Sequence, residues 1–241
     1  MYNLTDADKN FIDNYNVNLY ERPSVAIDVV ILCLNAQFEL MVLTTKRTEA
    51  PFLGKLQLPG GFVDVHRDLD EQVKDIVKDR TGFNTDNLSF EQLYTYGKVD
   101  RDPRTRVISV TYFAILPQNA LYVDCKNLEE HNYGWVHATD THNFTIHQLA
   151  FDHNDILNDA ITRIANKLDY TTIAFNFLQN KNHFTLYELN KVYNELDRTA
   201  EYSLANFRRD ILKKYGYRMT VLEGIESTEY SKRPSKVYKF F

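Results

Sequence analysis

The sequence predicts an α+β protein with two domains. Strand-like runs rich in β-branched residues come first and are followed by amphipathic helices, an order typical of a mixed α+β domain. The last part of the chain has two helices followed by two strands. At roughly 150 residues per domain, 241 residues accommodate one or two domains. We expect a lead-in at residues 1–21, a first domain at 22–150, a connecting helix at 151–169 and a second domain at 170–241.

The first domain begins with a predicted β-hairpin. The β-branched run at residues 25–34 indicates a strand, Asn35-Ala36-Gln37 indicates a turn, and residues 38–45 form the returning strand. Two further strands are predicted at residues 106–116 and 133–136.

Two amphipathic helices are predicted in the same part of the chain. Asp68 and Glu71 have the spacing of a capping box, and Gly82 marks the end of the helix that they begin. The second helix begins near Asp152. Both have an apolar face at helical spacing, formed by Leu69, Val73, Ile76 and Val77 in the first helix and by Ile156, Leu157, Ala160, Ile161, Ile164, Ala165 and Leu168 in the second.

The second domain has the order of a winged helix-turn-helix. Thr185 and Glu188 form another predicted capping box, and Ser203 is a suitable N-cap for the next helix, which ends at Gly216. Residues 219–222 and 236–240 are predicted strands. Winged helices place their second helix in the major groove of DNA.

The net charge of −5 alone argues against a nucleic-acid partner, but the charge is unevenly distributed. Residues 1–180 carry −9, whereas residues 181–241 carry +4. The polar residues that we expect on the exposed face of the second helix and in the wing are Asn206, Arg208, Arg209, Lys213, Lys232, Arg233 and Lys236. Arg and Asn read base edges and cations contact phosphates, so this surface is expected to bind duplex DNA. A surface that docks another protein is the alternative.

Other features of the sequence favour a cytoplasmic protein. Cys33 and Cys125 form neither a disulfide scaffold nor a zinc motif, and both are expected to be buried. The N-terminus lacks the pattern of a signal peptide. The longest apolar run, residues 29–34, is far shorter than the roughly 20 residues of a membrane helix. We therefore expect no membrane partner.

One motif surrounds the first helix. Leu58-Pro59-Gly60-Gly61-Phe62-Val63-Asp64 precedes the helix and Thr81-Gly82-Phe83 follows it. The segment resembles the Nudix box of Nudix hydrolases, G-x5-E-x7-R-E-U-x-E-E-x-G-U, in which U is aliphatic. The resemblance implies an α/β/α sandwich with a mixed sheet.

The catalytic middle of the motif departs from that family. Counted from Gly61, the first glutamate position holds Arg67, the Arg-Glu pair is Asp75-Ile76, and the Glu-Glu pair is Asp79-Arg80. In Nudix hydrolases these carboxylates hold Mg²⁺, a hard cation that needs several oxygen ligands. Ile76 is apolar, and the Arg80 cation would repel a metal. We expect the fold without the chemistry: no catalytic residue, no metal ligand and no cofactor. A Mg²⁺-dependent hydrolase of ADP-ribose-like diphosphates is the alternative.

Further segments extend the resemblance over residues 22–241. Asp100-Arg101-Asp102-Pro103-Arg104, Lys167-Leu168-Asp169-Tyr170-Thr171-Thr172 and Asn206-Phe207-Arg208-Arg209 resemble the Nudix-related transcriptional regulators. In that family a Nudix-like domain senses a nucleotide or sugar ligand, and a winged helix binds operator DNA as a homodimer. The resemblance implies a ligand-responsive repressor. The branch that controls NAD metabolism implies ADP-ribose as the effector, whereas other branches imply a sugar or sugar phosphate and control of sugar catabolism.

The ligand cleft is expected beside Gly60 and Gly61, where the absence of a Cβ allows close approach to the backbone. The candidate phosphate-binding cations are Lys46, Arg47, Arg101, Arg104 and Arg106. Alternatively, Asp100 and Asp102 pair with these arginines within the protein. His153 is expected to make a structural hydrogen bond.

Overall fold

The computed structural model describes residues 3–82, 84–85, 88–118, 133–138, 148–230 and 232–241. The lead-in contains a helix, α1 (Asp6–Asp13), which Thr5 and Asp8 begin with a capping box. No residue of α1 is buried. The predicted burial of Cys33 is confirmed, and Cys125 lies outside the described residues. None of the helices in the described ranges has the length and apolar character needed to cross a membrane.

A mixed seven-stranded sheet forms the first domain. Its strands are β1 (Ser24–Leu34), β2 (Leu40–Lys46), β3 (Leu56–Gln57), β4 (Gly60–Phe62), β5 (Glu91–Tyr96), β6 (Val107–Ile115) and β7 (Tyr133–His137). The central strand β1 pairs in parallel with β6 on one side and antiparallel with β2 and β4 on the other. The predicted hairpin and the two later strands are confirmed. The sequence patterns did not predict β3, β4 and β5, and the first two are too short to show a periodicity.

A helix covers each face of this sheet, as expected for an α/β/α sandwich. The helices are α2 (Leu69–Thr81) and α3 (His153–Lys167). Alternate residues of β1 lie in different apolar clusters: Ile27, Val29 and Ile31 are grouped with Val73 and Val77 of α2, whereas Val30, Leu32 and Leu34 are grouped with Ile156 and Ile164 of α3. This alternation is the period of a strand buried on both faces.

The ends of α2 partly follow the prediction. Gly82 ends the helix with a φ of +69°, a conformation that favours glycine, so the predicted end is confirmed. Asp68 is the N-cap, but its side chain makes no cap hydrogen bond. The Glu71 N–H donates to the Asp68 carbonyl instead, so the predicted capping box is wrong.

The second domain has the predicted winged-helix order. A 3₁₀ helix (Ile173–Phe177) is followed by β8 (Phe184–Thr185), α4 (Leu186–Leu196), α5 (Leu204–Tyr215), β9 (Met219–Ser227) and β10 (Ser235–Phe240), and the three strands pair in the order β8-β10-β9. The capping box of Thr185 and Glu188 is confirmed: each backbone N–H donates to the other residue's side chain.

One apolar core joins the two domains. The cluster that contains Val30 and the apolar face of α3 continues into the second domain through Phe175. The Phe175 ring stacks on Phe240, with 3.9 Å between the ring centroids. Outside this core, the Leu40 N–H donates to the Glu195 side chain at 2.9 Å. The connecting helix and the second domain are therefore packed against the sheet rather than tethered to it.

A buried ionic network fixes the start of α3 to the sheet. Arg101 donates two hydrogen bonds to Asp152, at 2.8 and 2.7 Å, and one to Asp28 of β1, at 3.2 Å. The Ser109 hydroxyl also donates to Asp28, at 2.6 Å. These partners compensate for the cost of burying the charges. We call Asp28, Arg101 and Asp152 the buried network.

His153 adjoins the buried network and is only 3% exposed. The Leu58 N–H donates to its Nδ1 at 2.9 Å, which confirms the predicted structural hydrogen bond. Because Nδ1 accepts, a neutral His153 carries its proton on Nε2, which lies 3.5 Å from Asp28 Oδ1. Burial lowers the pKa of His153 below its ordinary value of 6.5, although Asp28 and Asp152 act in the opposite direction.

This depressed pKa predicts a pH dependence of stability. In acid the unfolded state takes up the His153 proton before the folded state does, so stability falls as the pH drops below about 6.5. His153→Gln removes this titration. Urea denaturation between about pH 5.5 and 7.5 should therefore show a smaller loss of unfolding free energy for His153→Gln than for the parent protein. His66→Gln, at an exposed histidine, should keep the parental slope. Equal slopes for all three proteins would contradict the expectation.

Candidate functional site

A cleft of about 520 Å³ opens above β1 and β4, between the end of α2 and the start of α3. Six of the seven predicted ligand residues line it: Lys46, Arg47, Gly60, Gly61, Arg101 and Arg104. Arg106 does not, because its side chain donates to the Gly97 carbonyl at 2.7 Å. The structure also brings to the cleft several residues that were not among the predicted ligand residues: Asp28, Glu49, Phe62, Arg80, Phe151 and His153.

The charges that line the cleft favour an anion. Five lysines and arginines face three acidic residues, Asp28, Glu49 and Asp102. A partly enclosed surface with an excess of cations concentrates field lines and attracts negatively charged ligands.

Most of these cations are held by the protein itself. Arg47 donates to the carbonyls of Glu49 and Pro51 and to the Gln57 side chain, so it organises the loop between β2 and β3. Burial, and then the nearby charge of Arg104, lowers the pKa of Arg47.

Arg104 and Arg101 are also paired. Arg104 donates to both carboxylate oxygens of Asp102, at 3.0 and 2.7 Å, and these hydrogen bonds hold the pKa of Asp102 below its usual value. Pairing with Asp100 or Asp102 is the alternative to phosphate binding by these arginines. For Arg104 the structure shows this pairing, with Asp102. Arg101 pairs instead with Asp28 and Asp152, which are remote from it in sequence.

Lys46 and Arg80 differ from the other cleft cations. Lys46 lies at the end of β2 and Arg80 in the last turn of α2, and both side chains are exposed. Neither has a hydrogen-bond or ion-pair partner among the described residues. All the side-chain donors of these two residues are therefore available to a ligand.

Two aromatic rings form one wall of the cleft. The Arg104 guanidinium lies 5.6 Å from the Phe62 ring and 5.7 Å from the Phe151 ring, and Arg47 lies 4.8 Å from Phe151. Phe62 is 50% exposed, so its face is available for stacking. Phe151 has a φ of +57°, a strained conformation for a bulky residue, of the kind that concentrates at ligand sites. The sequence indicated this wall only through its high content of aromatic residues, which is 13%.

The two glycines line the cleft and differ in the space around them. A Cβ on Gly60 would lie 2.5 Å from Asp28 Oδ1 and 2.7 Å from the Ile27 carbonyl oxygen. Gly60 is therefore required for β4 to pack against β1, and the approach of a ligand to its backbone stays a prediction. A Cβ on Gly61 would lie 3.7 Å from the Ile76 side chain, an ordinary contact distance.

The residues at the motif positions lie in different surroundings. Within the described ranges, no three His, Cys, Asp or Glu side chains are arranged as ligands for a metal ion. Ile76 is buried in the core under α2, and Asp79 does not line the cleft.

The predicted nucleic-acid surface lies on α5 and the wing. Asn206, Arg208, Arg209 and Lys213 are exposed on α5, and Lys232, Arg233 and Lys236 are exposed in the wing. Arg209 donates to Asp210 at 2.8 Å, so it must exchange this partner to contact a base. Glu226 is opposite Lys236 in the wing, which reduces the positive field there.

Two curated proteins are similar to this chain in sequence. No family model matches the chain. It is 29% identical to the ADPR responsive transcriptional repressor NtrR of Acinetobacter baylyi over 242 residues, which cover 97% of this chain and 88% of that protein. It is 34% identical to the ADP-ribose pyrophosphatase of Methanocaldococcus jannaschii over 143 residues, which cover 58% of this chain and 75% of that enzyme.

The fold comparison extends over both domains. The crystal structure of Shewanella oneidensis NrtR complexed with a 27mer DNA aligns with a TM-score of 0.74 and 27% identity, covering 90% of this chain and 93% of that chain. The match to NrtR covers a Nudix-like domain, a connecting helix and a winged helix. The chain belongs to the Nudix family, and over both domains it is similar to the Nudix-related transcriptional regulators.

Proposed function

We propose that this protein is an ADP-ribose-responsive transcriptional repressor. The observation that carries the proposal is the combination, in one packed chain, of a cationic cleft with an aromatic wall and a winged helix with a basic exposed face. Relatives described as an ADPR responsive repressor and an ADP-ribose pyrophosphatase support ADP-ribose as the ligand.

The cleft fits the chemistry of ADP-ribose part by part. The Phe62 ring offers a stacking face for adenine, and the available cations Lys46 and Arg80 suit the diphosphate. Polar side chains such as Gln57 and Glu49 offer acceptors for ribose hydroxyls. A volume near 520 Å³ lies in the range of sites for small molecules.

The connecting helix gives the ligand a route to the DNA surface. Phe151 and His153 at its start line the cleft, and the Leu168 carbonyl at its end accepts a hydrogen bond from Lys214 of α5 at 3.0 Å. Tyr215 also donates to the Thr171 carbonyl, at 2.6 Å. A ligand that binds one position of α3 better than another would shift the orientation of α5.

We propose that the repressor acts as a homodimer. Winged helices commonly bind two half-sites about one helical turn apart, so a change in the spacing of two α5 helices would change affinity for operator DNA. The lead-in exposes apolar side chains suited to an interface between copies: Leu4, Phe11, Ile12, Tyr15, Val17, Leu19 and Tyr20. A DNA regulator acts where the chromosome lies, which in its bacterial relatives is the cytoplasm.

We further propose that the Nudix-like domain is a sensor rather than a hydrolase, since Ile76 and Arg80 stand at two carboxylate positions of the resembled motif. A repressor whose effector is a sugar phosphate is the alternative, and the first experiment distinguishes the two effectors.

ADP-ribose is expected to release the protein from DNA. Fluorescence anisotropy with a labelled duplex from upstream of its own gene measures the dissociation constant. Binding should weaken as salt is raised, because phosphate contacts release counterions. ADP-ribose should weaken it by roughly 5- to 150-fold, the usual range of allosteric coupling. Ribose 5-phosphate is the matched control and should have no effect. Release by ribose 5-phosphate alone would favour the sugar-phosphate alternative, and binding that ignores salt would contradict DNA recognition.

Substitutions on α5 test the DNA surface. Arg209→Ala should weaken specific binding by about 1–3 kcal/mol if Arg209 reads a base edge. Asp210→Asn should tighten binding, because it frees Arg209 and removes a negative charge from the same face. Lys74→Ala removes an exposed cation from the first domain and should leave DNA affinity unchanged. Equal effects of Arg209→Ala and Lys74→Ala would exclude Arg209 from the interface.

A further inference from the structure

We infer that Arg80 replaces the metal ion of the Nudix hydrolases, so that the diphosphate of the effector is bound without Mg²⁺. The inference rests on the proposed function and concerns how the same cleft recognises its ligand. In the hydrolases, carboxylates at these positions bind a metal cation. Here the side chain at one of the same positions is itself a cation.

None of the motif positions places a carboxylate in the lining of the cleft. Ile76 occupies one glutamate position of the motif, and its side chain is buried beneath Gly61. Asp79 retains a carboxylate but does not line the cleft. Mg²⁺ requires near-octahedral oxygen coordination, which these positions do not supply.

Two of the three acidic groups in the cleft are already engaged, and Glu49 alone supplies too few oxygen ligands for Mg²⁺. In the cleft, Asp28 pairs with Arg101 and Asp102 with Arg104. On α2, Asp75 pairs with Arg67 at 2.5 Å and lies outside the cleft. A divalent cation entering here would meet five lysines and arginines, whose repulsion is strong in a partly buried site.

Arg80 is suited to bind the diphosphate in place of a metal ion. Arg47, Arg101 and Arg104 each donate hydrogen bonds to protein acceptors, whereas Arg80 has no hydrogen-bond or ion-pair partner among the described residues. A guanidinium can donate two parallel hydrogen bonds to phosphate oxygens and stays charged at all physiological pH values. Lys46, at the end of β2, also lines the cleft and supplies a second cation with free donors.

A second residue of the same helix turn provides a matched control. Lys78 and Arg80 both lie in the last turn of α2, where cations interact favourably with the helix dipole. Only Arg80 lines the cleft. Removing either charge therefore has the same effect on the helix, and a difference in ligand affinity reports on the cleft alone.

Isothermal titration of the full-length protein with ADP-ribose tests the inference. Affinity should be equal, within about twofold, in EDTA and in Mg²⁺. Arg80→Gln should raise the dissociation constant by about 10-fold or more in EDTA, the usual effect of losing a hydrogen bond to a charged group. Arg80→Lys keeps the positive charge but cannot donate two parallel hydrogen bonds. Its dissociation constant should lie between those of the parent protein and Arg80→Gln. Lys78→Gln should bind as the parent does.

The outcomes separate this inference from the proposed function. ADP-ribose binding that requires Mg²⁺, or equal affinities for Arg80→Gln and Lys78→Gln, would overturn the role of Arg80 while leaving an ADP-ribose sensor in place. The absence of ADP-ribose binding both with and without Mg²⁺ would overturn the proposed effector, and the role of Arg80 with it. Thermal unfolding of each variant checks that all compared proteins are folded.

Discussion

The placement of one buried guanidinium determines how the cleft and the connecting helix are related. Arg101 lies between Asp28, on the central strand, and Asp152, at the start of α3. A buried charge is tolerated only when its partners are close and well oriented, so the strand, the loop and the helix must meet in one geometry. His153 adds a neutral hydrogen bond to the backbone at Leu58. The floor of the cleft and the first turn of α3 are therefore one structural unit.

This arrangement divides the cleft cations into two groups. Arg47, Arg101 and Arg104 give their hydrogen bonds to the protein and shape the loops, while their charges still contribute to the positive field. Lys46 and Arg80 retain donors for a ligand. Fixed charges of the first kind need no rearrangement on binding, which is the advantage of a preorganised site.

The same packing connects the first domain, which holds the cleft, with α5 and the wing. The core under β1 is continuous with the core of the winged helix through Phe175, so the two domains share side-chain contacts. Closely packed interiors transmit displacements because they have few voids to absorb them. A hydrogen bond from Lys214 to Leu168 joins α5 directly to the residue that follows α3. The two domains are thus packed against each other through a shared core.

The sequence by itself determined the local helices, strands and turns and the different charges of the two domains. Apolar spacing, capping residues and turn residues specified the hairpin, the helices and the wing, because each depends on residues close in the chain. The charge split between residues 1–180 and 181–241 predicted which domain would bind DNA. Only the tertiary structure decided which cleft cations remain available. Arg101 is 73 residues from Asp28 and 51 from Asp152, and such partners are chosen by the packing of distant segments, which no local pattern encodes.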